Sequence, residues 1–443
     1  MAALAWSGAA FAQPASFTGI AGPVGDPEVE ALFGQVLRNP SNPDLSFLFA
    51  DAAARRGDNE AAIGALERIL FYNPALTRVK LELGVLYFRL GSYEMARSYF
   101  EAATSSPETS PEVRARVAGF LREIDRRTSI HQFSVYTQVG FRYQSNANAG
   151  PASAFVSSFG QDAILGRQFV SRPDWNAFGL AALRHVYDFE NQRGDVWETN
   201  VAAYGSRQFR FGLLDVGFVE VQTGPRLALA PETFPGLTIR PYGLVNGVTL
   251  GDQRYLSTAG GGVSVSVPVA NGVVLEPFFE SRARRFERSA EYSTASEQAG
   301  TLWTTGLLMQ GAVASFAEAD FRWQARAAYL RNETRALFDY NGYDGVALDV
   351  GLPIEFTGPW GARRWLFVPS AGVAHHDYSA ANPLVDPIRR RRDREYRVGG
   401  LLEMPIYDFA GISLQVQYSE IDSRLRNYDS RNLSISFGPT LRF

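Results

Sequence analysis

The chain has 443 residues, a formal net charge of -3, a pI near 6.0 and no cysteine. The length suits two domains, and the charge argues against a general nucleic-acid binder, which would carry a basic face. Without cysteine there is no disulfide, thiolate metal site, cysteine nucleophile or lipidated N-terminal cysteine.

Residues 1–12 are alanine-rich and end Ala10-Phe11-Ala12, a small-x-small pattern of the secretory type without a basic n-region. We read them as an export signal and residues 13–25, small and carrying Pro14 and Pro23, as a flexible mature N-terminus.

Residues 26–129 read as a helical domain. Asp26-Pro27 opens a helix to about Arg38: aspartate caps, and proline suits the first turn. Then a repeat follows with a period of about 34 residues. Gly57 recurs as Gly91, Ala62 as Ala96 and Leu66 as Phe100, while Pro74 and Pro107 close the two units with a one-residue slip. Leu83-Gly84 and Tyr87 complete a tetratricopeptide pattern, in which small residues let antiparallel helices approach and large ones fill the groove. The units are expected at Asp44–Pro74 and Leu76–Pro107, with a capping helix from Pro111 to Arg127. Such repeats usually offer a concave face to a partner.

From Ile130 to Phe443 the pattern alternates. Phe321, Trp323, Ala325, Ala327 and Tyr329 oppose Asp320, Arg322, Gln324 and Arg326; Ile412, Leu414, Val416 and Tyr418 oppose Ser413, Gln415, Gln417 and Ser419. Successive strand side chains face opposite ways, so each segment has one oily and one wet face. We count about fourteen such segments, one of them a single strand over 343–356, each near the length that a tilted membrane strand needs. In the last, Leu433, Ile435, Phe437, Leu441 and Phe443 share one parity, interrupted by Pro439, and the chain stops on an aromatic residue as bacterial outer-membrane barrels commonly do. An even, closed ring leaves no bare edge. The expected fold is therefore tetratricopeptide-like helical repeats followed by a roughly 14-stranded antiparallel transmembrane β-barrel. Loop lengths place the helical domain and the C-terminus in the periplasm, with Gln144 to Trp175 a long outer loop.

No HExxH, Walker loop, GxSxG or complete GxGxxG occurs, and no cofactor is expected; Gly260-Gly261-Gly262 reads as a flat strand start. His375-His376 cannot chelate one ion from opposite strand faces. A barrel hydrolase would need a Ser/His or Asp/His constellation near one rim, to which His185 and His375 could belong. Arg389 to Arg392 with Arg394 could meet lipopolysaccharide phosphates or simply be a solvated loop balanced by Asp393 and Glu395. Asn146 and Asn148 suit a turn.

The combination of a short repeat domain, the stretch Gly140 to Asn148, and a closing region resembles the surface lipoprotein assembly modulator (Slam) family. The closing region comprises Arg392-Asp393-Arg394-Glu395-Tyr396, then Gln417 to Ser423, and then Asn427-Tyr428-Asp429. The similarity covers about residues 44 to 443; Gln144 or Ser145 stands where that family more often has aspartate. The resemblance implies a non-enzymatic outer-membrane translocator carrying lipoproteins or related secreted proteins from periplasm to cell surface. Its implied partners are outer-membrane lipid and lipopolysaccharide, the barrel-assembly machinery, a client and a periplasmic chaperone. The competing functions are a passive channel, a polysaccharide exporter and a barrel hydrolase.

Overall fold

The structure, a computed structural model, describes residues 27–39, 42–105, 109–269, 272–316, 319–359 and 363–443. The signal-like segment 1–12, residues 13–25, Asp26, Pro107 and the turn at Ala270-Asn271 lie outside the described residues. The chain divides into a helical unit and a barrel unit beginning at Phe133.

The helical unit comprises α1 (Pro27–Arg38), α2 (Pro43–Arg55), α3 (Asn59–Tyr72), α4 (Thr77–Arg89), α5 (Tyr93–Thr104) and α6 (Pro111–Thr128). Helix starts are written locally. Asn42 Oδ1 accepts from the Asp44 amide at 3.0 Å, Asp58 Oδ1 from Ala61 at 3.0 Å and Ser110 Oγ from Val113 at 3.4 Å. Proline occupies the first turn of α2 and α6, where a missing N–H costs nothing. Gly57 and Gly91 take φ of +83° and +77° between the helices of each pair, a left-handed conformation that a side chain would oppose. Ala62, Leu83, Ala96 and Phe100 are fully buried. Gly84 has no room for anything larger: a Cβ there would come within 2.7 Å of the Phe100 ring. Tyr87 stacks on Tyr99 at 5.4 Å, and both hydroxyls donate to Glu67 Oε1, at 2.7 and 3.3 Å. α6 covers the end of the stack with Val117 and Ile124.

The barrel unit contains β1 (His131–Gln144), β2 (Phe155–Ser158), β3 (Gln161–Ile164), β4 (Asp174–Asp188), β5 (Val196–Gln208), β6 (Val216–Ala228), β7 (Thr238–Leu250), β8 (Gln253–Pro268) and β9 (Val274–Phe286). It continues with β10 (Gly300–Phe316), β11 (Ala319–Thr334), β12 (Tyr343–Gly351), β13 (Ile354–Thr357), β14 (Arg364–Tyr378), β15 (Arg392–Pro405), β16 (Ala410–Ser423) and β17 (Ser430–Arg442). One 15-stranded sheet runs through all of these except the β2–β3 hairpin, and it closes on itself through β10–β11 and β1–β17. β12 and β13 are two halves of a single crossing, so the ring is a closed 14-stranded antiparallel barrel.

Three details depart from the sequence reading. The segment expected to be one strand over 343–356 is broken at Leu352-Pro353, because proline has no ladder N–H to give. The glycine triplet 260–262 lies in the middle of β8, not at a strand start, and packs beside Tyr242, Phe279 and Ser281. The long outer loop contains structure of its own: β2 and β3 pair around Phe159-Gly160, whose φ values of +53° and +78° make a tight hairpin turn.

Candidate functional site

Register sorts the side chains. The outward parity carries Phe133, Val139, Phe141, Trp175, Val219, Val245, Phe279, Val346, Leu348, Val398, Leu414, Val416, Phe437 and Leu441, all of them substantially exposed in the isolated chain. So broad an apolar belt does not face water on a soluble protein; hydrocarbon covers it. Aromatic residues mark its borders. Tyr187, Trp197, Tyr407, Phe409 and Phe443 lie at the end with the short turns, where Phe409 stacks on both Tyr407 and Phe443. Phe141, Tyr143, Trp175 and Phe209 lie towards the other, with Tyr143 against Trp175 at 5.4 Å. The barrel is thus embedded in the outer membrane, and the chain enters β1 from the periplasmic side, where the helical unit belongs.

The opposite parity faces the lumen and is a network of ion pairs. Glu198 of β5 is held by three arginines: Arg184 of β4 at 2.8 Å, Arg226 of β6 at 2.9 Å and Arg240 of β7 at 3.1 Å. Arg282 sits between Glu220 at 2.6 Å and Glu280 at 2.5 Å, with Tyr242 donating to Glu280 and Asn246 to Glu220. Asp349 accepts from Arg397 at 2.6 Å, and Arg397 reaches Glu395 at 2.8 Å. Arg442 and Tyr136 share Glu403 beside the closing seam. Towards the outer mouth the Arg391 guanidinium lies over the rings of Tyr428 at 3.6 Å and Tyr378 at 4.4 Å, and pairs with Asp393.

The seam between β1 and β17 closes the ring. Val135 and Phe443 exchange both backbone hydrogen bonds, at 2.9 and 3.0 Å, and the Ser145 amide donates to the Leu433 carbonyl at 2.9 Å. Bonded pairs recur every second residue in an antiparallel ladder, so Val139 and Pro439 share a bonding slot. Proline has no N–H for Val139, and the paired register skips Val139-Gly140 and Gly438-Pro439. The strands stay close because both neighbours are glycine; a Cβ on Gly438 would lie 1.9 Å from the Val139 carbonyl oxygen. The same lesion recurs twice. Pro277 of β9 faces Val265 of β8, and Pro225 of β6 faces Pro241 of β7, each in a gap of its ladder. The β8–β9 and β6–β7 interruptions lie towards the periplasmic ends of their strands.

The remaining candidates find other places. His185 and His375 both point outward, from β4 and β14, on distant parts of the ring, and His185 stacks on Phe133 at 4.6 Å; they do not meet in a hydrolase constellation. His376 faces the lumen beside Tyr343. Among the described residues no group of His, Asp or Glu is arranged to hold a metal ion. The arginine cluster is divided: Arg389 pairs with Asp386, Arg391 turns inward to Asp393, and Arg392 pairs with Asp377. Tyr396 lies exposed on the outward face of β15. Asn146 is buried and ties the first turn of the long loop to Gly150 and Ser430, while Asn148 bonds Val170 and Arg172. The β2–β3 hairpin is anchored at the outer rim by Phe159 and Gly160 amides on Leu384 and Val385, and by Ser157 on Asn427. The sequence reading did not find the Glu198 bracket, whose four residues come together only once strand register is known.

A tetratricopeptide-repeat family model matches residues 47–111. No curated protein matches the chain. Solved structures similar to the barrel include a bacterial polysaccharide outer membrane secretin, 9% identical over 70% of this chain and 98% of that one, with a TM-score of 0.36. Another is the outer membrane protein opdK from Pseudomonas aeruginosa, 7% identical over 70% of this chain and 98% of that one, TM-score 0.33. A third is Pseudomonas putida OprB, 9% identical over 71% and 94%, TM-score 0.33. Likenesses this loose assign no cargo. The architecture of the chain itself places it in the general class of outer-membrane barrels with an added helical domain.

Proposed function

We propose that the protein is an outer-membrane channel whose luminal face is the path, with the helical repeats serving as a periplasmic docking or bracing element. The observation that carries this reading is the segregation of side chains on the closed ring: oily residues outward, and a wall of arginines and carboxylates inward. That wall offers a hydrated route for polar solutes. Purified protein in planar lipid bilayers should give stepwise ionic conductance with no client present. A bilayer that stays silent over a range of voltages, with protein shown to be inserted, would remove the channel reading.

A second reading keeps the Slam-like role: export of a lipoprotein or secreted client, held by the repeats and passed along the barrel or through its closing seam. The Pro439 interruption favours it, because a strand edge with an unused carbonyl recruits extended peptide by backbone pairing. Saccharide export is the remaining variant of the channel reading. Client display on cells with and without this chain separates these, since a passive channel has no effect on display.

A further inference from the structure

The Glu198 bracket has more donors than it can use. Glu198 Oε1 takes Arg184 Nη2 at 2.8 Å and Arg226 Nε at 2.9 Å, and Oε2 takes Arg226 Nη2 at 3.2 Å. Arg240 Nε approaches Oε2 at 3.1 Å but too obliquely for a hydrogen bond, and its buried Nη2 has no partner among the described residues. Arg240 Nη1 donates to Gln222 at 3.0 Å and Arg226 Nη1 to Thr238 at 3.2 Å. Each guanidinium offers about five N–H donors and no acceptor, and among the described residues Arg184 places one of them, on Glu198. Charge is unbalanced at the bracket too: three guanidinium groups lie within 3.1 Å of the one Glu198 carboxylate. Near the periplasmic ends on the far side of the ring, Arg322 and Arg364 are matched by Asp320 and Glu355. Arg184 and Arg226 keep 34% and 26% of their side-chain surface open, on the luminal parity.

From this we infer that the periplasmic mouth of the lumen contains an oxyanion site, in which Arg184 and Arg226 take a carboxylate or phosphate group while Glu198 and Arg240 hold them in place. The inference rests on the channel reading for its purpose: it makes anionic solutes the class the channel favours. Guanidinium is suited to the task because its planar fork matches both oxyanions. Lumen water weakens each contact, so the site is one of passage and not of tight capture.

The test uses the full-length protein in detergent, with folding checked by its mobility shift on heating. Equilibrium dialysis against labelled inorganic phosphate, with acetate as competitor to compare the two oxyanions, reads binding without any need for conductance. Arg226→Gln and Arg184→Gln should each weaken phosphate binding by roughly tenfold. Glu198→Gln, which keeps the shape and removes the opposing charge, should tighten it. In bilayers the same arginine variants should lose anion preference in the reversal potential. Absence of phosphate binding by the wild-type chain, or binding that neither arginine variant changes, overturns the site. Silent bilayers with phosphate binding intact would count against the channel alone.

Discussion

Pro225 of β6 and Pro241 of β7 stand opposite each other in a slot where an antiparallel pair exchanges two backbone hydrogen bonds, and neither can donate one. The ladder is continuous to Thr223–Gly243, resumes at Leu227–Ile239, and is absent between. The residues adjoining these prolines, Arg226 and Arg240, are two of the three arginines that pair with Glu198 inside the lumen. A side-chain bracket thus replaces the missing backbone bonds. Glu198→Ala should destabilise the barrel by on the order of 3 kcal/mol, since it leaves three arginines facing one another. Pro225→Val, which restores one donor, should stabilise it by about 1 kcal/mol. The temperature at which the folded band disappears on a gel checks both, and the two shifts should have opposite signs.

Seam opening can be tested cleanly because the chain has no cysteine of its own. Gln138 and Thr440 are paired in a non-bonded slot, where side chains approach closely enough for a disulfide. With Gln138→Cys and Thr440→Cys oxidised, conductance through the lumen should persist and recover no further on reduction. Export of a client by way of the seam should stop under oxidation and return with reductant. Undiminished export with the seam locked would exclude a lateral route.

Gly84→Ala should loosen the second repeat. The added methyl meets the Phe100 ring at 2.7 Å, and both helices are packed too tightly to yield cheaply. Overpacking of this kind costs about 1–3 kcal/mol. Limited proteolysis should cut the helical unit faster in the variant and leave the barrel untouched.

Burial, and then the neighbouring Glu67 carboxylate, push the Tyr87 hydroxyl above the ordinary tyrosine range, and burial does the same for Tyr99. A group whose folded pKa is raised contributes stability that is complete below its unfolded value, ~10, and lost as pH climbs through the folded one. Thermal melts of the helical unit should therefore be flat near neutrality and fall at strongly alkaline pH. Tyr87→Phe should be less stable at neutral pH, lacking the Glu67 bond, and lose much of the alkaline decline. An unchanged decline would assign it to other groups.

Much of this fold is legible in the primary structure because each level repeats one rule. Alternation over a dozen residues marks a membrane strand, and a 34-residue recurrence of Gly57, Ala62 and Leu66 marks stacked helix pairs. What stays hidden depends on register across the ring. Glu198 and its arginines come from four strands, and nothing in the linear order says that Arg184 and Arg240 share an acceptor. The opposition of Pro225 and Pro241 is equally invisible until the length of the Leu229–Leu237 connection fixes which residues face each other. The β2–β3 hairpin escapes for another reason: four-residue strands are too short to show a period, and only the Phe159-Gly160 turn signals them.

The bond pair between Val135 and Phe443 has a consequence for biogenesis. Because the two strands that close the ring are β1 and β17, no cylinder can exist until β17 has been synthesised and exported. Throughout that interval both margins remain bare, so the unfinished sheet must be shielded from pairing with its neighbours until the terminal strand arrives.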